Sequence, residues 1–323
     1  MWVLDESRDG KIVTITFDKL DTWKWWECII KGEQEIDTSK INPEPSKLSD
    51  LDGDMKGQVE KMMFDTRQKQ MGLPSSDELK KQEMIEPLTE RYPEIDINDA
   101  YQISRKFLSL REEEGEKIIG KKIGVTSSVV QEMLGVDQPD FGFLTDTMKV
   151  QNRSSFSIKD SLIQPRAEAE IAFILKEDLL GPGISKEDVI AATDKILPCF
   201  EIVDSRIENW NIKIQDTVAD NASCGIFVLG EGACSPDKFS MEELSVEVIK
   251  NSEFLSEGKG SAVQGHPAQA VAWLANTLGE YDIPLLKDEI ILSGSLVPLE
   301  PAKAGDKFSM ELKGVGTCEI NFI

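Results

Sequence analysis

Residues 164–175 read Gln-Pro-Arg-Ala-Glu-Ala-Glu-Ile-Ala-Phe-Ile-Leu, an apolar run interrupted by two carboxylates two positions apart. Read as a β-strand, it places Glu168 and Glu170 on one face, because residues i and i+2 share a side. Two like charges on one face of an apolar strand are costly to bury unless a cation neutralises them. A second apolar stretch, Ile196 to Val203, carries one more carboxylate, Glu201. Three glutamates on apolar strands suit a hard divalent cation that takes oxygen ligands, Mg²⁺ or Mn²⁺. The same spacing also serves an edge strand with solvated glutamates, and spacing alone does not choose between them.

Composition narrows the partners. A net charge of −23 repels nucleic-acid phosphates and anionic membrane surfaces alike. No apolar run is long enough to span a bilayer. Met1 to Gly10 lacks the basic-then-apolar order of a signal peptide. Five cysteines at wide spacings, Cys28, Cys199, Cys224, Cys234 and Cys318, form no zinc or disulfide framework and suit reduced thiols in the cytoplasm. The single histidine, His266, offers little support for a Ser-His-Asp or Cys-His mechanism.

The 323 residues divide into two dissimilar parts. In the first, Lys11 to Phe17 alternates as a strand, Trp23, Trp25 and Trp26 cluster, and Val59 to Gln70 and Ser76 to Met84 are helical. Asp9-Gly-Lys-Ile-Val-Thr, Trp25-Trp26, Ile41-Asn-Pro-Glu, Ser46 to Asp52, Val59-Glu-Lys-Met-Met63 and Met71-Gly-Leu-Pro74 carry a resemblance. Residues 2–83 resemble the carboxy-terminal part of the nuclear-distribution-C (NudC) family. That implies part of a CS β-sandwich and a protein partner. The strands that precede Trp2 in a CS domain are missing, so a complete sandwich is not expected from residues 1–83.

Residues 84–323 mix strands and helices without a regular βαβ rhythm, which favours a mixed α+β architecture. Helices are expected over Asp96–Leu110, Ser127–Leu134, Ser185–Lys195 and Pro267–Leu278. Strands are expected over Lys117–Thr126, Ile290–Leu292, Lys307–Leu312 and Gly316–Phe322. Gly120-Lys-Lys122-Ile-Gly124 sets lysines between glycines on a strand, without the Walker spacing of a P-loop. Lys122 serves there as an acid–base group or as a carboxylate anchor. Val136 to Gly142 reads as a loop bearing Asp140. Asp216 to Ser223 supplies amides and hydroxyls, Asn221 and Ser223 among them, that suit a small acid. Each of these alone is equally a turn or a cap.

Taken with Leu134 to Gly142, Gln164 to Glu170, Leu197-Pro198, Ser205-Arg206, Asp216 to Gly225, Gly265-His-Pro267, Leu292-Ser-Gly294-Ser and Ala304-Gly-Asp306, they carry a second resemblance. Residues from about 85 to 323 resemble the 2-hydroxypenta-2,4-dienoate hydratase and 4-oxalocrotonate decarboxylase family of the fumarylacetoacetate hydrolase superfamily. The resemblance implies an α+β fold with a mixed β-roll, Mg²⁺ or Mn²⁺ on Glu168, Glu170 and Glu201, and Lys122 in the active site. Trp210 and the Asp216–Gly225 run look more like the hydratases; Gly181-Pro-Gly183 and Tyr281-Asp282 are reminiscent of the other branches.

The implied reaction is hydration of 2-hydroxypenta-2,4-dienoate to 4-hydroxy-2-oxopentanoate in aromatic meta-cleavage catabolism. Decarboxylation of 4-oxalocrotonate and hydration of 2-oxohept-3-ene-1,7-dioate stay open. So does a NudC-like partner-binding protein with a non-catalytic enzyme fold. Lys122, beside a dication, is expected below the ordinary lysine pKa and suited to proton transfer, with Asp140 as a candidate base. Asn221 and Ser223 are expected to position a small 2-oxo or 2-hydroxy acid. A cytoplasmic homo-oligomer is expected.

Overall fold

The computed structural model describes residues 2–7, 10–15, 62, 66 and 83–323. It separates into two compact units, Met1–Arg67 and Gln68–Ile323. In the first, β1 (Trp2–Ser7) and β2 (Gly10–Ile15) form an antiparallel hairpin with Ser7 opposite Gly10. The tryptophan cluster and nearly all of the helices expected before residue 83 lie outside the described residues. Glu83 and Met84, expected to close the second of those helices, are not helical.

Among the described residues of the second unit, the first helices are α1 (Leu88–Arg91) and α2 (Ile97–Glu113). Asp96 starts α2: its carboxylate accepts from the Asp99 amide, and Asp99 returns the bond to the Asp96 amide. This reciprocal arrangement is a capping box. There follow β3 (Ile118–Gly124), α3 (Ser128–Leu134, capped by Ser127), β4 (Asp140–Thr145), β5 (Lys149–Val150), β6 (Ser155–Phe156) and β7 (Pro165–Leu175). Asp140, expected on a loop, is the first residue of β4 and pairs with Gly124.

Next come α4 (Lys186–Ala192), β8 (Thr193–Asp204), α5 (Ile214–Ala219) and β9 (Cys224–Leu229). The α4 helix stops three residues before the expected Lys195, because Lys195 pairs with Ile174 in the β7–β8 ladder. Last are β10 (Ser245–Lys250), β11 (Glu253–Lys259), α6 (Pro267–Gly279), β12 (Ile290–Ser295), β13 (Glu300–Pro301), β14 (Lys307–Leu312) and β15 (Gly316–Phe322).

Two sheets result. The larger runs β4-β3-β12-β7-β8-β9-β5, with β13 on β7; the smaller runs β11-β10-β14-β15-β6. Both are mixed: β12–β3, β5–β9 and β15–β6 are parallel, and the other pairs are antiparallel. The alternation of β7 explains the layering. Ala167, Ala169, Ile171 and Phe173 enter the main core, which also holds the apolar face of α6 and the inner face of the smaller sheet. There Phe200 of β8 meets Phe308 of β14 edge-on at 6.3 Å, and Phe308 meets Phe322 of β15 at 6.0 Å. The opposite face of β7 carries Glu168, Glu170 and then Ala172. Ala172 joins Leu197, Cys199, Phe227, Ile290 and Leu292 in a second apolar cluster. The glutamates therefore sit at the end of a hydrophobic floor. Among the described residues, no helix is long and apolar enough to cross a membrane.

Candidate active site

The register of one ladder builds the acidic cluster. Glu168 stands directly opposite Glu201 across β7–β8, and Glu170 is two residues further along the same face. Ligand-capable oxygens of the three lie within 4.8 Å of one another, the one such grouping of at least three among the described residues. Glu170 and Glu201 are 0% exposed. The edge strand with solvated glutamates is thereby excluded: β7 is internal to the sheet, between β12 and β8.

The oxygens are starved of donors. Glu170 Oε2 accepts from the Gly294 amide at 2.8 Å. Glu170 Oε1 and both oxygens of Glu201 are buried without a hydrogen bond. Native structures seldom leave buried carboxylate oxygens unsatisfied. An all-oxygen donor set this close fits a hard dication such as Mg²⁺ or Mn²⁺. Burial first, then the Glu201 charge, pushes Glu168 up to about 8 and Glu170 well above the usual carboxylate range.

Lys122 comes from β3, and its Nζ lies 3.2 Å from Glu201 Oε1, a charge contact whose alignment falls short of a hydrogen bond. Burial alone would lower its pKa, but the charges of Glu201, Asp140, Cys224 and Glu168 outweigh burial and hold the ammonium above the usual lysine value. The expected lowering refers to the metal-loaded site, where a dication would add a positive charge beside Lys122 and offset these carboxylates. The neighbouring Lys121 points to the other face of β3, where its Nζ binds both oxygens of Glu289 at 2.6 Å.

Asp140 joins the cluster from β4. Its Oδ1 is buried without a partner, and burial raises its pKa, opposed by Lys122. A side chain on Gly124 would collide with Asp140 Oδ1 and crowd Lys122 Nζ, so glycine is what lets these two groups approach. Gly294, which supplies the amide to Glu170, adopts φ +106, and a Cβ there would strike Thr126.

Asn221 and Ser223 are both engaged by groups of the protein itself. Asn221 Oδ1 accepts from the Phe143 amide at 2.8 Å, and its Nδ2 donates to the Phe143 carbonyl at 3.0 Å. Its amide clamps β4. Ser223 Oγ pairs with Thr217 Oγ1 at 3.0 Å. Both belong to a left-handed run, Asn221, Ala222 and Ser223, with φ 54, 52 and 51. Val125, just after β3, has φ 56 although β-branched residues avoid that region. Strained backbone of this kind concentrates at functional sites.

Sequence reasoning gave Cys224 and Gly294 no role. Cys224 is a buried thiol beside Glu201 and Lys122, kept protonated by burial and the Glu201 charge. Glycine inside an otherwise apolar strand was the available signal for Gly294. His266 caps α6, its Nδ1 accepting from the Ala268 amide at 3.1 Å.

A cavity of about 530 Å³ adjoins the cluster, lined by Ile97, Tyr101, Val136, Asp137, Asp140 and Ile214 with three neighbours. Tyr101 stacks on Phe141 at 4.5 Å.

Comparison with known proteins gives the following. The family model for the fumarylacetoacetate (FAA) hydrolase C-terminal region matches residues 121–323. The chain is 59% identical over 239 residues to 2-hydroxyhexa-2,4-dienoate hydratase of Comamonas testosteroni, covering 74% of this chain and 90% of that one. It is 57% identical over 201 residues to 2-hydroxypent-2,4-dienoate hydratase of Pseudomonas putida, covering 62% and 90%. Among solved structures, 4-oxalocrotonate decarboxylase from Pseudomonas putida G7, complexed with magnesium and adipate, aligns with TM-score 0.75 and 32% identity over 82% of this chain and 98% of that one.

Proposed function

The chain belongs to the fumarylacetoacetate hydrolase family, and we propose that it is a divalent-metal-dependent hydratase of 2-hydroxy-2,4-dienoates, converting 2-hydroxypenta-2,4-dienoate to 4-hydroxy-2-oxopentanoate in aromatic meta-cleavage catabolism. The observation that carries the reading is the buried, donor-starved Glu168–Glu170–Glu201 cluster with Lys122 and Asp140 against it. The hydratase names of the relatives support it.

Glu168, Glu170 and Glu201 would hold the Mg²⁺ or Mn²⁺. Such an ion supplies Lewis acidity that stabilises enolate character in a 2-oxo acid. The protein's own groups then handle protons. Ketonisation needs a proton delivered to C5 of the dienoate. Lys122, buried against Glu201 and Asp140, is placed to carry one into the site. Water next adds at C4 of the conjugated enone, and its proton must be taken up while C3 gains one. Asp140, whose raised pKa suits proton acceptance, has a buried oxygen without a partner and is one of the residues lining the cavity. Asn221 holds β4, and so Asp140, in place, and Ser223 ties the turn that carries Asn221 to Thr217.

The likeness to 4-oxalocrotonate decarboxylase favours one second reading, decarboxylation through the same electron sink. A cytoplasmic homo-oligomer completes the proposal, and the described cysteines, all free thiols, fit a reducing compartment. Residues 1–83 are proposed as a NudC-like segment that binds a protein partner. A wholly non-catalytic binding protein would leave the buried carboxylates without a use.

The test is metal-dependent loss of the ultraviolet absorbance of 2-hydroxypenta-2,4-dienoate, run beside 4-oxalocrotonate. Turnover of the dienoate alone supports the hydratase. CO₂ release from 4-oxalocrotonate without dienoate turnover moves the chain to the second reading.

A further inference from the structure

Resting on the hydratase reading, we propose that the cavity lined by Ile97, Tyr101, Val136, Asp137, Asp140 and Ile214 receives the far, uncharged end of the dienoate and excludes substrates bearing a second carboxylate there. The acid end of the substrate would be fixed by charge, at the cation that Glu168, Glu170 and Glu201 would hold. The remaining carbons must leave the ladder toward open space. Asp140 belongs to both places. Its buried Oδ1 lies at the Gly124–Lys122 approach, and the residue is among those lining the cavity.

The wall itself selects. Ile97, Tyr101, Val136, Pro139 and Ile214 offer apolar surface, enough for a methyl group beyond C5. The charged lining residues, Asp137 and Asp140, are both acidic, and no lysine or arginine lines this cavity among the described residues. A distal carboxylate would meet like charge in partly desolvated space with no counter-ion. A neighbouring cavity does carry a cation, Arg105, but touches none of Glu168, Glu170, Glu201, Asp140 or Lys122.

Steady-state kinetics of the full chain with Mg²⁺ test this. The substrates are 2-hydroxypenta-2,4-dienoate, 2-hydroxyhexa-2,4-dienoate, 4-oxalocrotonate and 2-oxohept-3-ene-1,7-dioate. The hexadienoate should match the pentadienoate within roughly tenfold in kcat/KM, and both dicarboxylates should fall about 100-fold or more below. Val136→Lys should raise the dicarboxylate-to-pentadienoate ratio about tenfold or more. Ile214→Trp should lower the hexadienoate-to-pentadienoate ratio by a similar factor; Ile97→Trp, on the first turn of α2, repeats the test if the first variant does not fold. Equal efficiency on mono- and dicarboxylates, or ratios that neither variant moves, overturns the cavity assignment and leaves the hydratase reading standing. Absence of turnover of either dienoate by metal-loaded protein overturns the hydratase reading, and the cavity assignment with it.

Discussion

Glu168 and Glu201 are direct cross-strand partners, two carboxylates facing each other on a buried stretch of the β7–β8 ladder. Like charges placed directly opposite destabilise a sheet. The pair is therefore costly unless cations neutralise it: Lys122 Nζ, 3.2 Å from Glu201, supplies one charge, and a dication held by the glutamates would supply the rest. Fold stability and metal binding are coupled through this one pair.

A crossover in stability follows. Without metal, Glu168→Gln should be more stable than wild type by up to about 1 kcal/mol, because it removes a carboxyl that burial and the facing Glu201 charge disfavour. With Mn²⁺ at about 100 times its Kd, wild type should gain about 2.7 kcal/mol and Glu168→Gln much less. Glu170→Gln and Glu201→Gln should also lose most of the metal-dependent gain. Thermal unfolding with and without chelator reads both effects. An identical metal-induced shift in wild type and all three variants would sink the assignment.

Lys122 should separate chemistry from folding once metal is present. In metal-free protein, Lys122→Met leaves Glu201 without its nearest cation and should lower Tm. Metal should restore most of that loss by replacing the missing charge. Turnover should still fall by ~10²-fold or more if Lys122 transfers a proton. If it only anchors the substrate, KM should rise with kcat little changed. Wild-type kcat and KM in the variant would exclude both roles.

What was legible in the sequence was whatever depends on local pattern. The period-2 alternation of residues 164–175 marked β7, and Ser127, Ser185 and Pro267 marked helix starts. The Glu-x-Glu spacing and Glu201 marked the acidic cluster, although only the ladder register shows that Glu168 faces Glu201. Long-range pairings left no local trace. Nothing near Asn221 announces that its amide is consumed by Phe143, 78 positions away. Nothing near Lys121 announces Glu289, 168 positions away. The end of α4 was misplaced for the same reason, since pairing of Lys195 with Ile174 is decided outside the helix.

The Lys121–Glu289 pair should be structural, in contrast to Lys122. Both groups are buried, and Glu289 Oε2 also accepts from the Leu286 amide at 2.8 Å. Glu289→Ala strands a buried ammonium and should cost about 3–5 kcal/mol. Replacing both, Lys121→Met with Glu289→Leu, should recover much of the loss because no buried charge remains. Urea unfolding of the two variants decides, with metal affinity by calorimetry unchanged in each. If the double variant is no more stable than Glu289→Ala, the cost lies in packing and not in the unpaired charge.

Asp204 should make stability depend on pH in a direction opposite to the usual carboxylate. Burial pushes it up to about 6, although the Gln164 and Ile163 amides donate to it and oppose the shift. The unfolded reference is about 3.9. Between those values the folded chain binds this proton and the unfolded chain does not, so stability falls as pH rises through the window. The full contribution, present below about pH 4 and lost above about pH 6, is on the order of 3 kcal/mol. Asp204→Asn cannot titrate and should be flat across that range in this respect. The stability difference, wild type minus variant, should therefore drop by about 2–3 kcal/mol between pH 4 and pH 7, measured by urea unfolding in chelator. The metal-site carboxylates titrate equally in both proteins and cancel in the difference. A constant difference from pH 4 to pH 7 would show that Asp204 keeps an ordinary carboxylate pKa, with its amide donors fully offsetting its burial.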